Sequence, residues 1–321
     1  MTFPEAQDYL NSFINYENLI NFPYKESFKL ERIKSFLDSI GNPQKELKCI
    51  HIAGTKGKGS TCAFVAYILR CAGFKVGLYT SPHLESFRER IRILSPEDAQ
   101  SDDKVFEGMI SSEDVVKYVE RLKVYIEKFN QESQWKKLSF FEVYTALAFL
   151  YFKDQSIDFA VLETGLGGRL DATNSADSLI CAITPISFEH THKLGNTLAA
   201  IAAEKAGIIK KKNQIVISAP QSEEALNTIR QRCQEFQAKL YLLGKDIFFE
   251  EIQSDINGQV FDFFDKFAEY TYLRIGLLGK HQLINAATAL GVIEALRLLN
   301  IFVPADAIKK GLAQTVWPGR F

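Results

Sequence analysis

Net charge is what this chain most conspicuously lacks: 38 basic residues face 39 acidic ones, leaving −1 over 321 residues. No global field draws it to nucleic acid or to an anionic membrane, and any anion it binds must be held by a local arrangement. Cysteine is sparse as well. Cys49, Cys62, Cys71, Cys181 and Cys233 are odd in number, widely spaced, without a C-x-x-C pair, and mostly set in apolar runs. That pattern excludes a disulfide scaffold and fits reduced core thiols of a cytoplasmic protein. The N-terminus, MTFPEAQDYL, has neither a basic n-region nor an apolar h-region, and the apolar stretch 143–152 is too short to span a bilayer. No internal repeat or low-complexity tract interrupts an ordinary globular composition. The expectation is a soluble cytoplasmic monomer with small-molecule substrates and neither a nucleic-acid nor a membrane partner.

What is present is a regular alternation. Short apolar strands are expected at 48–53, 75–80, 157–163, 178–184 and 214–218, and helices at 58–72, 113–130, 139–153, 198–207, 222–237, 282–299 and 305–313. Strands of this kind between helices predict an α/β fold, a doubly wound, mostly parallel sheet covered on both faces. The size favours two lobes over one. Residues 246–275, rich in Phe, Asp and Tyr with partial alternation, predict a small antiparallel hairpin or meander on the edge of that sheet. The polar, acidic segment 95–109 reads as an exposed loop.

The first strand runs into GTKGKGST at 54–61 and then into a helix. Three glycines at such a junction let backbone N–H groups converge on an anion at the positive end of the helix, which makes a phosphate cradle, or P-loop. Lys58 would reach terminal phosphates, and the Ser60 or Thr61 hydroxyl a bound magnesium ion. The common pattern G-x-x-x-x-G-K-[ST] is not met literally, because Ile52 takes the place of its first glycine and Gly59 follows the lysine. Glycine-rich turns without a nucleotide are common, so the loop alone leaves a bare turn open.

Six further blocks follow in order: YTSPHL with FRERI (79–84, 87–91), LETGLGGRLDATN (162–174), H-x-x-x-LG (190–195), EKAGIIK (204–210), GKHQLINAATAL (279–290) and WPGR (317–320). With GTKGKGS they resemble the folylpolyglutamate synthase and dihydrofolate synthase family, a branch of the Mur-type ATP-dependent amide ligases. The resemblance implies that residues 1–321 form the ATP-binding central domain, with a helical extension at 1–47 and a β subregion at 245–276. It implies a C-terminal glutamate-ligase domain that lies outside this chain, and hence little turnover by the chain alone. The implied reaction joins L-glutamate to dihydropteroate, or to the γ-carboxyl of a reduced folate, through an acyl phosphate made with ATP and two magnesium ions. Two alternatives stay open: a nucleotide-binding module without catalysis, and a cell-wall Mur ligase acting on UDP-linked precursors. SPHL, FRERI, GLGGRLDATN and the lack of a separate UDP-binding N-terminal domain argue against the latter.

By the same resemblance Gly54, Thr55, Lys56, Gly57, Lys58, Gly59, Ser60 and Thr61 hold the phosphates, His281 and Asn285 touch the adenine edge or a phosphate, and Arg320 reaches the phosphates from a domain boundary. Helix capping is the commoner task for a His or Asn at a helix start. Ser60, Ser81, Glu163, His190 and Lys205 are the implied metal positions, and Lys58, Glu163, His190 and Lys205 the implied catalytic ones. Glu163 also stands out on its own, ending an apolar strand just before GLGG, where ligands of parallel sheets bind. Glu189 replaces the aspartate usual beside this histidine. Lys205 corresponds to a lysine that the family carbamylates, which requires a neutral amine and hence a lowered pKa. Against that stands an ordinary solvated lysine near Lys210, Lys211 and Lys212. Acceptor contacts are implied for Ser81, Pro82, His83, Arg90, Phe140, Phe141, Glu142, Arg169 and Asp171. Phe140 and Phe141 cannot both point into a core from one helix face, which is compatible with one of them meeting a ligand, although packing is the usual task of an aromatic pair. The loop from Gly54 and the Glu163 carboxylate must then face one cleft.

Overall fold

The structure, a computed structural model, describes residues 1–19, 22–96, 106–135, 137–189 and 191–319. Strands β1 (Cys49–Ala53), β2 (Val76–Tyr79), β3 (Ile91–Leu94), β4 (Phe159–Glu163), β5 (Ser178–Ile183), β6 (Ile215–Ser218) and β7 (Lys239–Leu242) form a seven-stranded sheet in the order β3-β2-β4-β1-β5-β6-β7. All neighbours run parallel except β2 and β3, which are antiparallel. Every residue of β1 is buried. Ile50 and Ile52 point into one hydrophobic cluster, Cys49 and Ala53 into the clusters of the opposite face. Burial on both faces is why these strands read as unbroken apolar runs.

The helices are α1 (Phe3–Asn11), α2 (Tyr24–Ser27), α3 (Leu30–Ser39), α4 (Lys58–Cys71), α5 (Ser112–Glu132), α6 (Phe140–Asp154), α7 (Thr191–Leu194), α8 (Leu198–Ala206), α9 (Glu223–Glu235), α10 (Lys280–Ala295) and α11 (Ala305–Gln314). Residues of α4, α10 and α11 share one cluster with the sheet; α1, α3, α5 and α6 build a second, and α8 with α9 a third. By length and composition the segment Lys280–Leu299 is apolar enough to cross a membrane, and longer than the 143–152 stretch singled out from the sequence. It is 78% buried inside the protein, as a core helix should be.

Strands β8 (Ile247–Asp255), β9 (Gly258–Asp265) and β10 (Glu269–Ile275) form a separate antiparallel sheet in the order β10-β9-β8. The antiparallel meander expected at 246–275 is present, but as its own sheet rather than on the edge of the main one. Phe261, Phe263, Tyr270, Leu273 and Ile275 join the cluster of α10 and α11, so the hairpins bury their apolar face on helices. The antiparallel edge of the main sheet is β3, which starts at the last residue of the FRERI block.

Candidate functional site

The carboxyl ends of β1, β4 and β5 meet at one edge: Ile52 lies beside Glu163 and Ala53 beside Ile183 in the strand register. A side chain at Gly54 would put Cβ 1.8 Å from Thr184 Oγ1. Gly57, at φ +84°, would put one 2.1 Å from Asn285 Oδ1. Only glycine combines that φ with so close an approach. Gly57 caps α4 without any side-chain bond, so the first amides of the helix carry the positive end of its dipole with no acceptor within the helix. Thr61 Oγ1 is buried there without a partner, and Ser60 is buried beside it. Glycines that exclude Cβ, an orphaned hydroxyl and the Lys58 ammonium fit a triphosphate with its cation. One expectation needs correction: the Thr55 and Lys56 amides do not converge on an anion but donate to the Pro185 carbonyl at 3.1 and 3.3 Å. Thr55 Oγ1 lies 3.2 Å from the Ser187 carbonyl oxygen, to which it donates. That leaves the start of α4, rather than the whole loop, as the part able to cradle a phosphate.

Glu163 accepts the Ser81 amide at 3.1 Å. A small cleft lined by Gly59, Ser81, Glu163 and Trp317 gives the loop and this carboxylate one shared space. Lys205, 3% exposed, donates from Nζ to the Gly54 carbonyl at 2.5 Å. Burial first, then the Lys58 charge, pull its pKa down to about 7 against Glu189 and Asp171. The neutral amine that carbamylation requires is therefore accessible near neutral pH. Among the described residues no group of three His, Cys, Asp or Glu side chains forms a metal cage. Magnesium is satisfied by a few oxygens and its own waters, so Ser60, Ser81 and Glu163 suffice chemically. His190 and Arg320 lie outside the described residues.

Beyond Ser81 opens a cavity of about 640 Å³, bordered by Ser81, Pro82, His83, Arg90, Phe140, Phe141 and Asp171. Both phenylalanines reach it. Phe140 stacks on Tyr144 with ring centroids 5.5 Å apart, and Phe141 leans on Tyr79 at 5.9 Å. Arg90 donates Nε–H to His83 Nδ1 at 2.8 Å, which fixes the neutral His83 proton on Nε2. Burial, then the Arg90 charge, hold His83 below its ordinary pKa. Asp171 Oδ2 accepts the Gly165 and Leu166 amides, each at 2.9 Å. Burial raises its pKa despite these bonds.

Two sequence candidates sit elsewhere. Glu142 serves the start of α6: it accepts from Arg32 at 2.7 and 2.8 Å and completes a capping box with Ser139. Arg169 pairs with Glu204 of α8 at 2.7 Å. His281 is exposed at the start of α10, with Asn285 one turn further on against Gly57. Sequence reasoning missed the wall that the N-terminal segment builds. Asn15, Glu17 and Asn18 border the cavity, and Glu17 receives Arg90 bidentately at 2.8 and 2.6 Å. A lone carboxylate in a polar segment carries no periodicity that marks it.

A model of the Mur ligase middle domain matches residues 112–293. The dihydrofolate synthase/folylpolyglutamate synthase of Bacillus subtilis is 37% identical over 294 residues, covering 91% of this chain and 65% of that protein. The chain thus spans a little under two thirds of that relative. The solved folylpolyglutamate synthase of Thermotoga maritima superposes with a TM-score of 0.84 at 34% identity, over 99% of this chain and 67% of the other. A solved FPGS–AMPPCP–folate complex superposes with a TM-score of 0.88 at 29% identity, over 100% of this chain and 73% of the other.

Proposed function

We propose, from the premise that this chain belongs to the folylpolyglutamate synthase and dihydrofolate synthase branch of the Mur-type ligases, that its site serves ATP-dependent ligation of L-glutamate to a pteroate or folate carboxylate. The acceptor carboxylate takes the γ-phosphoryl group of ATP, giving an acyl phosphate and ADP. The amine of glutamate then attacks the acyl carbon, and phosphate leaves as the amide forms. Two anions must meet for the first step, so the site has to supply cations and fixed donors where charge gathers.

Lys58 and the first turn of α4 would hold the triphosphate. Ser60, Thr61, Ser81 and Glu163 would face magnesium, which supplies charge neutralisation at the phosphate oxygens. Lys205, its pKa lowered to about 7 so that a large share of the amine is neutral near pH 7, would take up carbon dioxide and present a carbamate in place of an ammonium. Phe140 and Phe141 would hold the flat ring of the acceptor, with Asp171 anchoring the Gly165–Leu166 backbone beneath it. The observation that carries this function is the pair of adjoining spaces, one lined by Gly59 and Glu163 and one by Phe140 and Arg90, with Ser81 bordering both. The resident state is a cytoplasmic monomer.

Binding by the chain itself tests it. Mg-ATP should bind and be lost in Lys58→Ala, and dihydropteroate or a reduced folate should bind and be lost in Phe140→Ala. A chain that binds a UDP-linked cell-wall precursor in a thermal-shift screen, and neither pterin compound, would overturn the proposal. With 13C-bicarbonate, a carbamate NMR signal should be present in the unmodified chain and absent in Lys205→Arg.

A further inference from the structure

Behind the two phenylalanines of the large cavity lies a turn, Gly165–Leu166, that borders the same space. A side chain at Gly165 would put Cβ 2.6 Å from Phe141 Cζ, so the backbone lies directly against that ring and any shift of the turn moves the cavity wall. Both amides of the turn donate to Asp171 Oδ2. Asp171 is itself fully buried. Burial works against its charge, and what opposes that cost is hydrogen bonding, from the Thr173 hydroxyl and from the Leu166, Thr173 and Gly165 amides. A buried carboxylate held this way fixes its donors in place only while every bond is made.

The bonds continue beyond Asp171 into the sheet. The Thr173 hydroxyl donates to Asp171 Oδ1 at 2.5 Å, so its oxygen can only accept on its other side, and there it meets Nε2 of His51 at 2.8 Å. His51 stands in β1 and is wholly buried. Burial, then the Lys210 charge, lower its pKa to about 3. A neutral imidazole carries one proton, and Thr173 fixes it on Nε2, which leaves Nδ1 buried without a partner. An apolar residue would fill the sheet without that orphaned nitrogen. We infer that His51 and Thr173 are positioning residues of the acceptor cavity: His51 aims the Thr173 hydroxyl at Asp171, and Asp171 holds the Gly165–Leu166 turn against Phe141. Neither His51 nor Thr173 meets the acceptor. This rests on the ligase function proposed above. Strand β1 thereby has two tasks, leading into the glycine turn at Gly54 and bracing the acceptor's wall three residues earlier.

Dihydropteroate and tetrahydrofolate are titrated calorimetrically into the unmodified chain, and the tighter of the two serves as probe. His51→Leu should bind it about 3–10-fold more weakly, the worth of one buried hydrogen bond, while Mg-ATP affinity stays within about twofold. His51→Gln, whose amide N–H can stand where Nε2–H stood, should recover most of the loss. His51→Asn, whose shorter amide reaches only the Nδ1 position, should not. A histidine that merely filled the sheet would not separate the two amides. In the unmodified chain, 15N NMR of the His51 ring should show Nε2 protonated and Nδ1 bare, and the probe, but not Mg-ATP, should shift the Nε2 signal. That measurement needs no variant and decides the matter should the substitutions fail to fold. Unchanged probe affinity in His51→Leu, equal losses of probe and Mg-ATP, recovery by Asn rather than Gln, a proton on Nδ1, or an Nε2 signal indifferent to the probe would each overturn the inference. If the unmodified chain binds neither pterin compound, it is the ligase function that falls.

Discussion

The amine of Lys205 sits 3% exposed against the Gly54 carbonyl, and its ammonium form would face Lys58. In the unfolded chain the same amine titrates near its ordinary value of about 10.4. Between about 7 and 10 the unfolded chain therefore binds a proton that the folded chain does not, and stability rises with pH across that window, by up to about 1.4 kcal/mol per unit. Lys205→Met should flatten the rise. In urea unfolding at pH 7 and pH 9, the unmodified chain is expected to gain about 2 kcal/mol more than the variant; parallel pH profiles would refute the burial argument. A second residue-scale test concerns Thr173. Its hydroxyl donates to Asp171 Oδ1 at 2.5 Å, which leaves its lone pair for the Nε2–H of buried His51 at 2.8 Å. Thr173→Val keeps the shape, orphans the buried His51 N–H and leaves Asp171 Oδ1 with only the backbone amide of residue 173, so a loss of about 1–3 kcal/mol is expected by chemical denaturation, with Thr173→Ser restoring most of it.

At the scale of elements, β1, the glycine turn and α4 act as one unit whose tolerance is set by backbone clearance. Gly57→Ala meets a left-handed φ and the Asn285 amide together, so nucleotide affinity should fall at least tenfold, about 1.4 kcal/mol or more. Asn285→Ala relieves the clash but not the φ. Calorimetric titration of the double variant should therefore show partial recovery; full recovery would mean that the turn carries no backbone constraint. This unit was legible in the sequence because an apolar run, a glycine cluster and a helix are local signals. The strands β4, β5 and β6 were legible for the same reason. Other features were not, because they depend on which surfaces meet. Period-two alternation marked β8 to β10 as strands but could not say that they would pack on α10 and α11. Strand β3, four residues with Arg92 among them, was not among the expected strands and proved to be the edge of the sheet. Glu142 was an acceptor contact implied by the family resemblance, yet its position as third residue of α6 commits it to capping and to Arg32.

For the whole molecule, the decisive feature is that the N-terminal segment, which belongs to none of the sheet's strands, closes the cavity of about 640 Å³ against the FRERI turn and α6. The closure is ionic. Glu17 lies 31% exposed on one side of the pair and Arg90 1% exposed on the other, with the Phe140 ring 5.5 Å from the guanidinium. Because one partner is half in water, the pair holds the segment with less than the energy of a fully buried bridge. Removing Glu17, however, leaves a buried charge with only His83 as acceptor. Glu17→Ala is therefore expected to cost about 1–3 kcal/mol and to loosen the segment before the sheet opens. Hydrogen exchange should resolve the two: amides of 3–18 should exchange faster in the variant while those of β1 and β4 stay protected. A pterin acceptor should slow the same N-terminal amides in the unmodified chain, whereas Mg-ATP should act on the start of α4. Equal protection of both regions by either ligand would mean that the two spaces are not separate subsites, and the division of labour between loop and cavity would have to be abandoned.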